Sequence, residues 1–173
     1  MYFKEDYKQF LNNISSKYSY IILDPPWNYD DKPPAVTRNQ LTYNLWENTE
    51  LKEIFNTSNI NHIFLWSTNN MLPLCFDAAK NTEFEFKTLV TWVKSTHKDN
   101  LFYGLGNTFR NCTEQLLVFS RKGVTPLRLP LRTAILAESG DRTGKPKAFE
   151  RDLIEHLTQK GLKGIYIYFQ EEI

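Results

Sequence analysis

Short apolar runs that alternate with helical patterns most constrain the fold of this chain. Residues 18–23 form a strand-like run that is apolar on both faces, as is typical of central strands in a parallel sheet. Further strands are predicted at 62–68, 84–94, 113–122, 133–138 and 164–169. Helices are predicted at 49–55, 70–81 and 146–160. This alternation predicts an α/β domain with a mostly parallel sheet and helices on both faces.

Helical spacing and loop composition add detail to this outline. Apolar side chains recur at helical spacing near the start, which predicts an amphipathic helix on Phe3, Tyr7, Phe10, Leu11 and Ile14. The last predicted helix has one apolar face, made of Phe149, Leu153, Ile154 and Leu157. Long polar loops are predicted at 28–44 and 95–112, and long loops in compact domains are usually functional or disordered.

The composition argues against several classes of protein. A chain of 173 residues suffices for one domain, and its net charge of +1 means that nucleic-acid contacts must come from a local patch. Two cysteines cannot form a disulfide framework, and the three histidines lack metal-ligand spacing. The chain has no apolar run of about 18 residues, the length of a membrane span. These features predict a reduced, soluble, intracellular protein without a metal site.

The first strand runs directly into Asp24-Pro25-Pro26-Trp27. Proline fixes φ and has no N–H, and the residue before a proline is held extended. The segment is therefore a rigid strand exit, at the edge where open α/β sheets bind ligands. Its carboxylate and free carbonyls form a two-acceptor site that suits an NH2 group. Trp27 offers a flat face on which a base can stack.

A two-acceptor site of this kind activates an exocyclic amine. The lone pair of such an amine is delocalised into the ring, and acceptors on both hydrogens favour a pyramidal nitrogen with its lone pair turned outward. The Asp24 carboxylate also stabilises the positive charge that develops on the nitrogen. The alternative interpretation is a simple proline turn with Trp27 in the core.

Asp24-Pro25-Pro26-Trp27 resembles the signature of the adenine-N(6) methyltransferase family that includes the messenger-RNA N(6)-adenosine writers and related bacterial and phage DNA methylases. The resemblance covers most of the chain, with the segments in the family's order. The other matching segments are 43–51, Phe64-Leu65-Trp66-Ser67-Thr68, Thr91-Trp92-Val93-Lys94, Gly104-Leu105-Gly106 with Arg110-Asn111 and Glu114, and Gly144-Lys145-Pro146.

The resemblance implies a Rossmann-like fold and S-adenosylmethionine as the methyl donor. It implies that Asp24 and Pro25 hold the adenine amine next to the donor methyl group. Pro26 and Trp27 complete the predicted catalytic segment. The base is then flanked by Trp27 and Tyr43.

The resemblance also implies that Lys145 meets the carboxylate of the donor, with Pro146 beside it. The residues alone are equally consistent with an anion site, because a helix that begins near Pro146 has free N–H groups at its N-terminus. The alternative is a solvated basic turn. Arg110 and Glu114 are predicted to orient the 95–112 loop or to contact the substrate, and the alternative is a surface ion pair.

Several basic residues in the second half of the chain have two interpretations. They form either a phosphate-contacting patch or solvated surface charges: Arg121, Lys122, Arg128, Arg132 and Arg142.

The C-terminal end departs from the family pattern. Family members continue beyond their last matching strand into a Gly-Asn-Glu segment that normally holds the donor's adenosine, whereas Gln170 is followed here only by 171–173. Tyr166 and Gln170 occupy the positions of the family's acid and arginine. We therefore expect a single methyltransferase domain over 1–173 that lacks the usual C-terminal donor-binding segment.

We expect an enzyme that methylates the exocyclic amine of adenine in nucleic acid. DNA is preferred over RNA because the compact chain and its Gly-x-Gly loop resemble the bacterial and phage branch. The alternatives are an RNA adenine methyltransferase, a non-catalytic nucleic-acid-binding partner subunit and a small-molecule amine methyltransferase. The expected partner is nucleic acid and not a membrane, and a homo- or heterodimer is an open alternative. The expected location is the cytoplasm of a bacterium or phage-infected host, or the nucleus of a eukaryote.

Overall fold

A computed structural model describes residues 18–27, 48–56, 59–106, 108–139 and 144–168. The predicted N-terminal helix and the whole of the 28–44 loop, which includes Tyr43, lie outside the described residues. The described segments contain every strand that the sequence predicts.

The helices and strands follow the predicted order, with small differences at their ends. The strands are β1 (Tyr20–Asp24), β2 (His62–Ser67), β3 (Phe84–Ser95), β4 (Thr113–Arg121), β5 (Ala134–Glu138) and β6 (Gly164–Tyr168). The α-helices are α1 (Asn48–Phe55), α2 (Leu72–Ala79) and α3 (Lys147–Gln159), and a 3₁₀ turn, Asn69–Met71, precedes α2. Pro73 lies in the first turn of α2, where its missing N–H breaks no helical hydrogen bond.

The strands form one six-stranded sheet in the order β5-β3-β4-β2-β1-β6. β1 is parallel to β2 and β6, and β3 is parallel to β5, whereas β4 is antiparallel to both β2 and β3. Five strands therefore point the same way, and the prediction of a mostly parallel α/β sheet is confirmed. Because β4 is reversed, it begins at the edge where the other strands end. This edge is called the carboxyl edge below, and the other is called the amino edge.

Helices cover both faces of the sheet, as predicted. On one face, Leu23 and Leu65 pack in a buried cluster with residues of α1 and α2. On the other face, Phe64 and Trp66 pack with Leu153 and Leu157 of α3. Alternate residues of β2 thus enter opposite layers, which explains why its run is apolar throughout.

The buried stripe of α3 differs from the predicted one. Glu150, Leu153 and Leu157 are buried and Phe149 packs against them, but Ile154 is 36% exposed. The prediction that Ile154 belongs to the buried face was therefore wrong. The spacing of the buried residues is i, i+3 and i+7, and Ile154 lies at the margin of this stripe, about 40° from Glu150 and about 100° from Leu153 around the helix axis.

No helix among the described segments has the length and the apolar character needed to cross a membrane.

Candidate active site

The carboxyl edge brings two acidic and two basic side chains together. Asp24 ends β1, Lys94 lies one residue before the end of β3, and Glu114 is the second residue of β4. Lys145 approaches from the segment that leads into α3. These residues are far apart in sequence, and they meet because β4 is antiparallel to its neighbours.

The four side chains form a chain of alternating charge. The Lys145 ammonium lies 2.9 Å from Asp24 Oδ1 and 2.7 Å from Glu114 Oε2. Lys94 donates a hydrogen bond to the other oxygen of Glu114. The side chains are between 10% and 19% exposed, so solvent screens these ion pairs only partly. Asp24, which contacts one lysine, is the most exposed of the four.

The two carboxylates differ in pKa because their partners differ. The pKa of Asp24 is raised to about 6: burial is the largest cause, Lys145 opposes it, and the charges of Glu114 and Glu150 add to it. Burial also acts to raise the pKa of Glu114, but Lys145 and Lys94 together outweigh it and hold that pKa below its ordinary value. Burial acts to lower the pKa of Lys145, and the two acids facing it raise the pKa above its usual range. Asp24 is therefore the basic carboxylate of the pair, with a pKa close to neutrality.

Two buried indoles form the wall behind the lysines. Lys145 Nζ lies 5.6 Å from the Trp66 ring centroid, and Lys94 Nζ lies 4.9 Å from that of Trp92. The two rings are 6.3 Å apart in an edge-to-face arrangement. Trp66 donates its indole N–H to Glu150 Oε1 at 3.1 Å. The wall confines both ammonium groups beside the carboxylates by cation–π attraction as well as by volume.

Of the Asp24-Pro25-Pro26-Trp27 segment, the three residues after Asp24 lie apart from this cluster. Pro25 and Pro26 are buried, and Trp27 is 7% exposed in the hydrophobic layer of α1 and α2. Asp24, in contrast, contacts Lys145 on the α3 side of the sheet. In the described residues the Trp27 ring is therefore part of a core layer, and its predicted stacking on a base stays a prediction.

The loop between β3 and β4 is held closely against itself. A Cβ on Gly104 would lie 2.2 Å from the Asn111 carbonyl oxygen, and one on Gly106 would lie 2.0 Å from the Phe109 carbonyl oxygen. The Gly-x-Gly pattern is thus required by the close approach of two backbone segments. The Arg110 guanidinium stacks 4.9 Å from the centroid of the Tyr103 ring. Glu114, the alternative ion-pair partner of Arg110, instead forms ion pairs with Lys94 and Lys145.

This loop exposes an unusual amount of apolar surface. Leu105 is 90% exposed, Phe109 is 86% exposed and Tyr103 is 76% exposed. An open cavity of about 500 Å³ lies between the loop and the 3₁₀ turn, with Asn69 and Arg110 among its lining residues. A second cavity, of about 390 Å³, lies on the α3 face, and none of the four charged residues lines it.

Sequence reasoning missed a polar network beside the cluster. Asn69 accepts a hydrogen bond from Gln115 Nε2 at 3.0 Å and donates one to Thr113 Oγ1 at 3.0 Å. Gln115 Oε1 accepts from Thr91 Oγ1 at 2.7 Å. The available signal was the paired asparagines after Thr68, since polar residues directly after a buried strand lie at a ligand-binding edge.

The structure also separates the predicted basic patch. Arg121 and Lys122 follow the reversed strand β4 to the amino edge, away from Asp24. There Arg121 Nε donates to the Ile60 carbonyl at 3.1 Å, and Lys122 Nζ donates to the Thr82 carbonyl at 3.2 Å. These two residues cannot belong to a phosphate-contacting patch at the carboxyl edge. Arg142 lies outside the described residues.

A comparison with protein-family models identifies residues 18–168 as MT-A70. The chain belongs to the MT-A70 family. Members of MT-A70 are adenine-N(6) methyltransferases that use S-adenosylmethionine as their methyl donor, and the matched range includes all six strands and the charged cluster. A comparison with curated proteins found no match.

The charged groups of the cluster fit the methyl donor of the MT-A70 family. S-adenosylmethionine carries an ammonium, a sulfonium and a carboxylate, so it needs both anionic and cationic partners. Asp24 and Glu114 offer the carboxylates, and Lys145 offers the ammonium. Pro146 caps α3 without a side-chain hydrogen bond, so the capping residue leaves the first free N–H groups of that helix available to an anion.

Proposed function

We propose that the chain methylates the exocyclic amine of adenine in DNA, and that Asp24 is the group that binds the amine. The observation that carries this proposal is the buried Asp24–Lys145–Glu114 cluster at the carboxyl edge of an MT-A70 sheet. Asp24 is a basic carboxylate at the last residue of β1, and an acceptor for the amine at this edge would serve the family's activity.

Asp24 acts on the amine in two ways. Its carboxylate accepts a hydrogen bond from one N–H of the NH2 group, and the Pro25 carbonyl accepts a hydrogen bond from the other N–H. This arrangement turns the nitrogen lone pair outward. A carboxylate whose pKa is about 6 is also basic enough to take up the proton that the nitrogen loses after alkylation. The rigid Pro25-Pro26 exit fixes both acceptors before the substrate arrives.

Lys145 and Pro146 are assigned to the donor side. S-adenosylmethionine supplies an electrophilic methyl group when it is bound. Lys145 attracts the donor's carboxylate, together with the free N–H groups that follow Pro146 at the start of α3. Glu114 holds Lys145 in place through its 2.7 Å ion pair, and its contact with the substrate stays a prediction.

The exposed loop is assigned to the nucleic acid around the target base. Nucleic-acid sites combine cations with aromatic rings on which bases stack, and the stacked pair of Arg110 and Tyr103 offers both. Leu105 and Phe109 flank this pair with apolar surface. Tyr43 is assigned to one face of the target base, whereas the Trp27 ring packs in the hydrophobic layer of α1 and α2. An adenine in a duplex must be flipped out of the stack to reach Asp24.

The preference for DNA is tested by competition between substrates of one sequence. The purified chain is incubated with labelled S-adenosylmethionine and equal amounts of DNA and RNA oligonucleotides, and the products are digested to nucleosides. We expect labelled N(6)-methyldeoxyadenosine in excess over the methylated riboside. The reverse ratio would identify RNA as the substrate. Absence of both from a chain that binds the donor and nucleic acid would favour the non-catalytic partner subunit.

A further inference from the structure

Glu150 is a buried acid that the proposed chemistry leaves without a role. It lies in the first turn of α3 and is 6% exposed. A buried carboxylate is costly unless hydrogen bonds hold it, and Glu150 accepts from the Trp66 indole and from the Tyr166 hydroxyl. Its donors come from β2 and β6, so one side chain links the helix to two strands.

The partners of Glu150 lead directly to the candidate active site. Trp66, which Glu150 holds by its N–H, is the ring over which the Lys145 ammonium lies. Lys145 in turn contacts Asp24 at 2.9 Å. Three contacts therefore connect Glu150 to Asp24, and its negative charge lies behind the indole on the same face of the sheet.

We propose that Glu150 is a positioning residue of the candidate active site, which fixes the Trp66 wall beneath Lys145 and places a second buried negative charge near Asp24. The inference rests on the proposed function for its catalytic consequence. The effects of Glu150 on the position of Trp66 and on the charge of Asp24 involve only residues of this chain.

Every charged group that acts on Asp24 comes from an element packed against β1 or its neighbours. Lys145 and Glu150 approach from the α3 side, and Glu114 approaches from β4 with Lys94 of β3 behind it. Lys145 lowers the pKa of Asp24, whereas Glu114 and Glu150 raise it. Removal of the Glu150 charge alone should therefore make Asp24 more acidic, although Glu150 touches neither the amine nor the donor.

The test is a carbon-13 NMR titration of the Asp24 carboxyl in the wild type and in Glu150→Gln. Glutamine keeps the acceptor oxygen and the volume but removes the charge. We expect the Asp24 midpoint to fall by about half a pH unit, and the acidic limb of kcat/KM to move with it. The matched control is Glu155→Gln, because Glu155 is exposed on the outer side of the same helix. The Asp24 midpoint in Glu155→Gln should equal that of the wild type.

A purely structural role for Glu150 predicts a different result. In that case Glu150→Gln lowers the melting temperature but leaves the Asp24 midpoint unchanged, and this outcome overturns the proposal. If Glu150→Gln does not fold, Tyr166→Phe gives the decision. It keeps the Glu150 charge but removes a hydrogen-bond donor that partly offsets it, so the Asp24 midpoint should rise, and an unchanged midpoint overturns the proposal. Neither titration requires methyl transfer, so a failure of this inference is distinguishable from a failure of the proposed function.

Discussion

The two edges of the sheet bury titratable groups in opposite ways. At the amino edge, His62 is 4% exposed and its Nδ1 lies 2.9 Å from the neutral Ser120 hydroxyl. Burial lowers the pKa of His62 to about 4, so the ring is uncharged near neutral pH. At the carboxyl edge, Asp24 lies 2.9 Å and Glu114 lies 2.7 Å from the Lys145 ammonium, so every one of these three groups has an oppositely charged partner.

The comparison shows that the partner, and not burial alone, decides the charge state. Burial acts against the charged form of all these groups. His62 has only a neutral partner and loses its charge, whereas Glu114 has two lysines and its pKa is lowered. Asp24 has one lysine and two repelling acids, so the lysine does not offset the effect of burial and the pKa of Asp24 is raised to about 6. The amino edge is thereby suited to stability and the carboxyl edge to proton chemistry.

The largest expected effect comes from removal of the Asp24 charge. Asp24→Asn keeps the volume but weakens the acceptor and cannot take up a proton, so kcat/KM should fall about 1000-fold. Folding should be retained, because the raised pKa of Asp24 means that its ionised form costs stability at neutral pH. Methylation assays and thermal unfolding measure the two effects. Asp77→Asn is the control, since Asp77 forms an exposed pair with Lys52, and equal loss in both variants would disprove a special role for Asp24.

Lys145→Met should weaken donor binding about 100-fold, because it removes a charged hydrogen-bond donor from a largely buried site. It also leaves Asp24 and Glu114 without their shared cation, so the pKa of Asp24 should rise. Calorimetric titration with S-adenosylmethionine measures the affinity. Lys160→Met, at an exposed position just after α3, should bind the donor as the wild type does. Unchanged affinity in Lys145→Met would remove Lys145 from the donor site.

At the amino edge, acid should destabilise the protein through His62. The folded pKa of about 4 lies below the ordinary value of 6.5, so the stability is present above pH 6.5 and is lost as the pH falls towards 4. Between pH 7 and 4.5 the wild type should lose about 2 kcal/mol more unfolding free energy than His62→Gln. Urea titrations at both pH values measure this difference. His97→Gln, at an exposed histidine, should follow the wild type, and identical pH dependence in all three proteins would refute the assignment.

The smallest expected effect concerns the exposed loop. Tyr103→Ala removes the ring on which Arg110 stacks, and the KM for nucleic acid should rise about fivefold with kcat nearly unchanged. Leu136→Ala is the control, because Leu136 is similarly exposed on the edge strand β5. Steady-state kinetics at several salt concentrations measure both variants. A fall in kcat without a change in KM would place Tyr103 outside the nucleic-acid contact.

The strand order could not be predicted from the sequence, although the strands could. Apolar runs identify β1 and β2, which are buried on both faces except at the partly buried Asp24, and β6, whose run is apolar although it lies at the edge of the sheet. The reversal of β4 depends on its pairing with β2 and β3, and the pattern of a strand is the same in both directions. That reversal is what brings Glu114 beside Asp24.

Only part of the candidate site could be predicted, because some of its contacts join segments that are far apart in the sequence. Asp24, Glu114 and Lys145 were named from their motifs, but the contacts of Trp66 with Lys145 and Glu150 involve three separate segments. Glu150 had no local signal, because a glutamate in the first turn of a helix is usually solvated. The structure places it against Tyr166.

The most direct test of the central claim is the pH dependence of kcat/KM in the wild type, measured beside the carbon-13 titration of Asp24. kcat/KM reports the ionising groups of the free enzyme. If the Asp24 carboxylate binds the amine, activity is lost as the pH falls, with a midpoint near 6 that coincides with the Asp24 titration. Activity that stays constant while Asp24 takes up its proton would contradict the account.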